Sequence, residues 1–322
     1  MSETILKVED LKTSFMTSSG EVQAVRGVSF EVHKGEILGI VGESGSGKSV
    51  TSMSILRLLA DTARIKNGKI EFEGTDLTKV SDKQMREIRG QKIAMVFQDP
   101  MTALNPVDTV GDQIAEVIYL HQKVTKVESK RLAAEMLEVV GIPKERFGEY
   151  PHQFSGGMKQ RVIIAMALAC NPKLLIADEP TTALDVTIQA QVLRMMNDLK
   201  SKNGTAVLLI THDLGVIAEM CQRVAVIYSG EIVEMGTAED LFDRTAHPYT
   251  MGLFDSLPRV SSGDRLIPIP GMMPDPSNLP KGCKFAERCK YATDVCREQE
   301  VDLTEIEPGH YCRCIHKLTK EG

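Results

Sequence analysis

Three stretches of this chain have residue types and spacings that could do chemistry. The first is "GESGSGKS", Gly42 to Ser49, which fits G-x-x-x-x-G-K-[ST] between a strand-like run and a helix-like one. Glycines at such places let successive backbone N–H groups turn toward phosphate oxygens, and a helix starting there adds its dipole. Lys48 would reach the β- and γ-phosphates of a nucleotide, and the Ser49 hydroxyl would ligate Mg²⁺. Ser44, Gly45, Ser46, Gly47 and Val50 stand near enough in the chain to add contacts.

The second stretch is "KLLIADEP", an apolar strand pattern ending in adjacent acids, Asp178 and Glu179. Carboxylates at the carboxyl end of a strand lie where open α/β sheets bind ligands. Asp178 would hold Mg²⁺ through water, and Glu179 would polarise an attacking water. Two more strand patterns end in suitable polar groups. "KIAMVFQDP" ends at Gln98, able to touch Mg²⁺ or the water, and "AVLLITHD" at His212, able to donate to a γ-phosphate. Each alone reads as a surface polar residue; together they point to nucleotide hydrolysis.

The third stretch, "FSGGMKQR", is a second anion cradle. Ser155 can cap a helix, while Gly156 and Gly157 leave its first N–H groups bare. It lacks the Gly-Lys-Ser/Thr run that supplies a phosphate lysine and a metal ligand, so it cannot run hydrolysis itself. Its use would be to close over a nucleotide already held by a phosphate loop on another chain.

The elements that must position these residues are legible to about residue 240, where short apolar strands alternate with helical patterns, the mark of a parallel α/β sheet. Strands are expected at "EILGIVG", "KIAMVFQ", "KLLIAD", "AVLLITH" and "RVAVIYSG", nearly continuous apolar runs suited to burial on both faces. Thr109 to Gly141 reads as a helical insert. Beyond Gly236 the texture changes, and "PRVSSGDRLIPIPGMMPDPSNLPKG" reads as a loop-like extension.

Composition sets the class. The 322 residues are 42% hydrophobic and 25% charged, as in ordinary globular proteins, with room for one large domain and an appendage. A net charge of −6 without a long Lys/Arg block argues against nucleic acid as a partner. No apolar run approaches the roughly 18–20 residues that span a bilayer, and the first residues show no secretory pattern, so the cytosol is expected.

Five of the seven cysteines lie between Cys283 and Cys314, as C-x5-C-x6-C followed by Cys312 and Cys314. Cys170 and Cys221 read as small buried hydrophobes. Clustered thiols in a reducing compartment suggest metal rather than disulfides. The two-residue spacings of a zinc ribbon are absent, and four thiolates from an irregular loop suit a [4Fe–4S] cluster; zinc and unligated thiols stay open. A structural role, pinning a loop with little core, fits better than electron transfer.

In order, these motifs resemble those of ATP-binding-cassette ATPases: Walker A (Gly42–Ser49), Q-loop (Gln98), signature (Ser155–Gly157), Walker B (Leu174–Glu179), D-loop (Ala183–Asp185) and switch His212. The resemblance implies a P-loop NTPase fold with a RecA-like parallel-sheet core, an antiparallel β subdomain and a helical subdomain at about 100–165. The ATPase domain would span 1–240, followed by a cysteine-rich extension over 241–322. Phe15 falls where the family places an aromatic that stacks on adenine. The signature here is Phe-Ser-Gly-Gly-Met rather than Leu-Ser-Gly-Gly-Gln, so Met158 replaces the glutamine. The family also implies a head-to-tail dimer in which Ser155, Gly156, Gly157 and Asp185 serve the partner's ATP.

The runs "FQDPMTALNP", "YPHQFSGGM", "DEPTTALDVTIQAQ" and "HPYTMGL" narrow the resemblance to the dipeptide/oligopeptide/nickel importer branch. That implies an ATPase energising import of di- or oligopeptides, attached peripherally to the cytoplasmic face of the inner membrane. It would dock, through a groove after Gln98, on two permeases fed by an extracytoplasmic binding protein. The second ATPase chain would be a related paralogue or another copy. Similar importers carry a [4Fe–4S] cluster in this tail, with the last cysteine five positions after a glycine, which selects Cys283, Cys289, Cys296 and Cys314 over Cys312. The alternatives are nickel or another small solute as cargo, or a soluble cassette ATPase outside transport. The latter would be expected to carry a long coiled-coil insert or two fused cassettes.

Overall fold

The computed structural model describes residues 3–18, 20–97, 103–181, 184–256 and 268–316. In chain order the first strands are β1 (Thr4–Thr17), β2 (Gly20–His33), β3 (Ile37–Val41), β4 (Ala63–Phe72), β5 (Thr75–Asp76) and β6 (Ile93–Val96). There follow β7 (Leu174–Asp178), β8 (Ala206–Ile210), β9 (Arg223–Tyr228), β10 (Glu231–Thr237), β11 (Thr304–Glu307) and β12 (His310–Cys312). The helices used below are α1 (Lys48–Ile55), α2 (Asp82–Ile88), α3 (Val110–His121), α4 (Lys126–Val139), α5 (Gly156–Leu168) and α6 (Val186–Asn203). After them come α7 (Leu214–Met220), α8 (Ala238–Asp243), α9 (Pro248–Asp255) and α10 (Asp294–Glu298). The chain divides into two compact units, each assembled from separated stretches.

One unit comprises Met1–Leu6, Val32–Ile37 and Lys79–Ile210. Its strands β6, β7 and β8 are parallel, with Ile93 opposite Leu174 and Leu174 opposite Ala206. Every residue of β7 and β8 is buried, which is why both read as unbroken apolar runs. The helical insert expected at 109–141 is present as α3 and α4. Thr109 and Thr125 start them by accepting hydrogen bonds from the Asp112 and Glu128 N–H groups. Val110, Ile114 and Ile118 of α3 and Ala133 and Leu137 of α4 form their buried faces.

The other unit comprises Lys7–Glu31, Leu38–Thr78 and Thr211–Gly322. It holds a four-stranded sheet in the order β2-β1-β4-β5, whose β4 and β5 are antiparallel. A second set of strands begins with β3 parallel to β9, continues antiparallel through β10 and β12, and ends at β11. The chain after Gly236 is therefore more ordered than its texture predicts. Its strands are three or four residues long, too short to show a period, and β12 is fixed by pairing Cys312 with Glu234. Packing there is aromatic: Tyr228 lies 4.5 Å from Tyr249 and 5.3 Å from Phe285, ring centre to ring centre. Among the described residues no helix is long and apolar enough to cross a membrane.

Candidate nucleotide-binding site

The phosphate loop follows the fully buried β3 and opens α1. Its glycines are demanded by the backbone. A Cβ on Gly42 (φ 154°) would lie 2.1 Å from the Ile227 carbonyl oxygen, and one on Gly47 (φ 103°) 2.4 Å from that of Ala24. Gly47 gives α1 no side-chain cap, and no acid occupies its first turn, so the leading N–H groups suit an anion. Lys48 is buried, its Nζ donating to the carbonyls of Gly42 (2.8 Å) and Glu43 (2.9 Å). Among the described residues the buried Ser46 hydroxyl has no hydrogen-bond partner. Ser49 and Val50 are half-buried, while Ser44 and Gly45 are exposed. An ammonium resting on backbone carbonyls beside an unsatisfied hydroxyl, at an uncapped helix start, is a donor set that fits phosphate oxygens.

His212 belongs to this same unit and is exposed, just before Asp213, which caps α7 by accepting from the Gly215 and Val216 N–H groups. Phe15 is half-buried in β1.

The other unit carries the acids and the second cradle. Asp178 ends β7 at 2% exposure. Glu179 is half-buried and left-handed (φ 49°), its N–H donating to the Ile210 carbonyl at 2.8 Å. A left-handed non-glycine at a strand end stores about 1–3 kcal/mol of strain, a condition that clusters at functional sites. Gln98 and Ala183 lie outside the described residues. Asp185 is exposed and starts α6 by accepting from the Ile188 N–H at 3.0 Å.

Ser155 caps α5, its Oγ accepting from the Met158 N–H at 3.4 Å, and Ser155 and Gly156 are both exposed. Among the described residues a Cβ on Gly156 would meet nothing within 4 Å, whereas one on Gly157 would lie 3.4 Å from a Leu184 methyl. The two departures from the usual signature share one neighbour. Arg146 lays its guanidinium over the Phe154 ring (4.4 Å), and its Nη1 donates to the Met158 sulfur at 3.3 Å. Met158 is thus half-buried against Arg146 rather than offered as a polar contact. Sequence reasoning missed Gln160, which is 2% exposed and donates through Nε2 to the Pro180 carbonyl, tying α5 to the residue after Glu179. Its signal was a lone amide on an otherwise apolar helix face.

Cys283, Cys289, Cys296 and Cys314 line one cavity, whereas Cys312 is buried in β12 and does not line it. The Cys283 N–H donates to the Cys296 carbonyl at 2.7 Å, closing that loop on itself. Burial pushes the Cys283 thiol up to about 11 and raises Cys289, and the neighbouring thiols raise both further. A bound cation would reverse that effect, because thiolates are stabilised by metal. Asp240, Glu307 and His310 also converge, with ligating atoms within 4.8 Å of one another. Arg244 bridges both of those carboxylates, which accounts for the cluster without an ion. Cys221 is buried, as its apolar surroundings predict, whereas Cys170 is only half-buried.

Residues 25–182 match the family described as ABC transporter, and residues 233–296 match the C-terminal region of oligopeptide/dipeptide transporters. The chain is 54% identical over 314 residues to the oligopeptide transport ATP-binding protein OppD of Bacillus subtilis, covering 96% of this chain and 88% of that one. It is 52% identical over 316 residues to the dipeptide transport ATP-binding protein DppD of the same organism, covering 97% and 94%. Among solved structures, the dimeric post-hydrolysis state of the ATP-binding cassette MJ0796, bound to ADP and Pi, aligns with a TM-score of 0.67. The sequence identity there is 27%, covering 73% of this chain and 99% of that one. With half or more of its positions shared along nearly its whole length, this chain belongs to the ATP-binding subunits of the oligopeptide/dipeptide branch of ABC transporters.

Proposed function

We infer that this chain hydrolyses ATP to ADP and phosphate and that the cycle energises import of di- or oligopeptides. The observation that carries the chemistry is the glycine loop, where Lys48 sits on the loop's own carbonyls beside the unsatisfied Ser46 hydroxyl. Phosphate oxygens replace those carbonyls as acceptors when nucleotide binds. Lys48 then neutralises the β- and γ-phosphates, and the backbone of Gly42, Ser44, Gly45, Ser46, Gly47 and Val50 surrounds them. Ser49 and Gln98 would hold Mg²⁺ directly and Asp178 through water; the ion supplies charge neutralisation at the phosphates. Glu179 polarises the water, His212 donates to the γ-phosphate, and Phe15 stacks on adenine. The left-handed backbone of Glu179 supports its assignment, since strain of that kind is kept where function needs it.

The Ser155–Gly157 tip, exposed at Ser155 and Gly156, and the exposed Asp185 serve the nucleotide of a second ATPase chain, a paralogue or another copy. The pair works on two permease subunits at the cytoplasmic face of the inner membrane, with an extracytoplasmic binding protein delivering peptide.

The four thiols that line one cavity, Cys283, Cys289, Cys296 and Cys314, would hold a [4Fe–4S] cluster, which would pin the C-terminal extension.

Glu179→Gln tests the catalytic reading. The variant is expected to bind ATP as the parent does while steady-state hydrolysis falls by about 10²–10³-fold or more, the scale of a lost general base. Undiminished turnover would overturn it.

A further inference from the structure

The residue that follows the first glycine of the phosphate loop, Glu43, is gripped from the C-terminal part of the chain. Its backbone N–H donates to the Tyr249 hydroxyl at 2.8 Å. Its carboxylate receives a two-pronged ion pair from Arg288, Nη1 to Oε2 at 2.9 Å and Nη2 to Oε1 at 3.0 Å. Its carbonyl accepts from the Lys48 ammonium at 2.9 Å. Amide, carboxylate and carbonyl of Glu43 are thus all engaged, and two of the three partners come from beyond residue 240.

Arg288 is built for this hold. Its side chain is 6% exposed, Nε donates to the Pro270 carbonyl at 2.7 Å, and Nη1 also reaches the Tyr228 hydroxyl at 3.3 Å. The guanidinium lies 5.7 Å from the Tyr228 ring centre and 5.8 Å from that of Phe285. A planar, forked cation held on its remaining sides can present only one geometry to Glu43. Tyr249 is fixed as firmly. His247 caps α9 by accepting the Tyr249 N–H at 3.0 Å, Pro248 follows as the first helical residue, and the Tyr249 ring packs on Tyr228 and Phe285.

We propose that Arg288 and Tyr249 are positioning residues for ATP binding, holding Glu43 so that the Gly42 and Glu43 carbonyls present Lys48 toward incoming phosphate. Neither side chain needs to touch nucleotide. Arg288 acts on the carboxylate and Tyr249 on the amide, and Arg288 lies between Cys283 and Cys289 in the chain. If those thiols are held by metal, as read above, occupancy of the thiol cavity and the shape of the phosphate loop are linked through Arg288.

The test uses the full-length protein and a fluorescent ATP analogue, alongside steady-state ATPase measurements. Arg288→Ala and Tyr249→Phe are each expected to weaken nucleotide binding, about tenfold and about threefold, a change of the size that losing one or two hydrogen bonds to the loop produces. KM for ATP should rise by similar factors while kcat moves less than twofold, because the acid and water machinery is untouched. Arg288→Lys should fail to restore affinity, since a single ammonium cannot make the fork. Glu43→Gln should weaken binding like Arg288→Ala, and the double variant should be no worse than either single one. That cycle keeps the proposal testable should Arg288→Ala prove unstable. Parental affinity in both Tyr249→Phe and Glu43→Gln overturns it, as does additive loss in the double variant. Stripping metal anaerobically from the parent should reproduce the Arg288→Ala affinity. If the parent carries no iron, the cluster reading falls while the Arg288 and Tyr249 results stand.

Discussion

His247 shows how much one side chain can carry in this fold. It is 2% exposed and its Nδ1 accepts the Tyr249 N–H, so the ring must stay neutral. Burial pushes its pKa down to about 4 from an ordinary 6.5; the Glu234 charge opposes that shift, while Arg313 adds to it through its charge and opposes it through a backbone hydrogen bond. A base whose folded pKa is depressed favours folding above its unfolded value and loses that contribution as pH falls toward the folded one. The affected window therefore runs from about 6.5 down to about 4. Between pH 7.5 and 5 the parent should lose about 2 kcal/mol more stability than His247→Asn, which can still cap α9 but does not titrate. Denaturant melts at the two pH values measure the difference; equal losses in both proteins would remove His247 from the account.

Residues of the motif kind were legible from sequence because spacing alone reveals them. Lys48 stands one place before a serine in a glycine loop, and Glu179 follows the last residue of a buried strand. Arg288 was not legible. In the sequence it is one of several basic residues in a loop-rich tail, and only the fold brings it to Glu43, 245 positions away.

At the scale of elements, the phosphate loop depends on how closely β3 and α1 approach their neighbours. Gly42 and Gly74 both have positive φ, 154° and 78°, yet a Cβ on Gly42 would strike the Ile227 carbonyl oxygen at 2.1 Å, while one on Gly74 would meet nothing within 4 Å. Gly74→Ala should therefore cost only the left-handed backbone penalty, about 1–2 kcal/mol, and leave nucleotide binding unchanged. Gly42→Ala must move backbone against backbone, and should lose both thermal stability and nucleotide binding. Paired melts and binding titrations separate strain at a turn from closure of the loop.

The expected strands at "EILGIVG", "KIAMVFQ", "KLLIAD", "AVLLITH" and "RVAVIYSG" all formed, because strands covered on both faces must be apolar throughout. The elements that went unread are of another kind. β10 carries the fully buried Glu234, whose carboxylate accepts from the Ala246 and His247 N–H groups and pairs with His310 Nε2. An acid inside a strand breaks the apolar pattern, and its compensation lies in residues no local window contains. β11 and β12 exist only as pairing partners of one another and of β10.

At the scale of the whole molecule, the two cradles of one chain predict two different defects. In the Lys48 cradle the lysine is buried and the loop glycines press on backbone. In the Ser155 cradle Ser155 and Gly156 are exposed, and among the described residues a Gly156 side chain would meet nothing within 4 Å. An exposed helix start of that kind suits the use by a second chain proposed above. Lys48→Ala in this chain should therefore abolish nucleotide binding by the isolated protein. Ser155→Arg should leave that binding at the parental level, because Ser155 is exposed and is read as serving the nucleotide of a second chain. In the assembled transporter both variants should cut ATP turnover, the second by filling the partner's site rather than its own. Equilibrium binding by the isolated chain, set against ATPase of the reconstituted complex, reads the two defects apart. If Ser155→Arg weakened the isolated chain's own binding as Lys48→Ala does, the second cradle would be serving this chain's nucleotide, and the exchange of helix tips between chains would have to be abandoned.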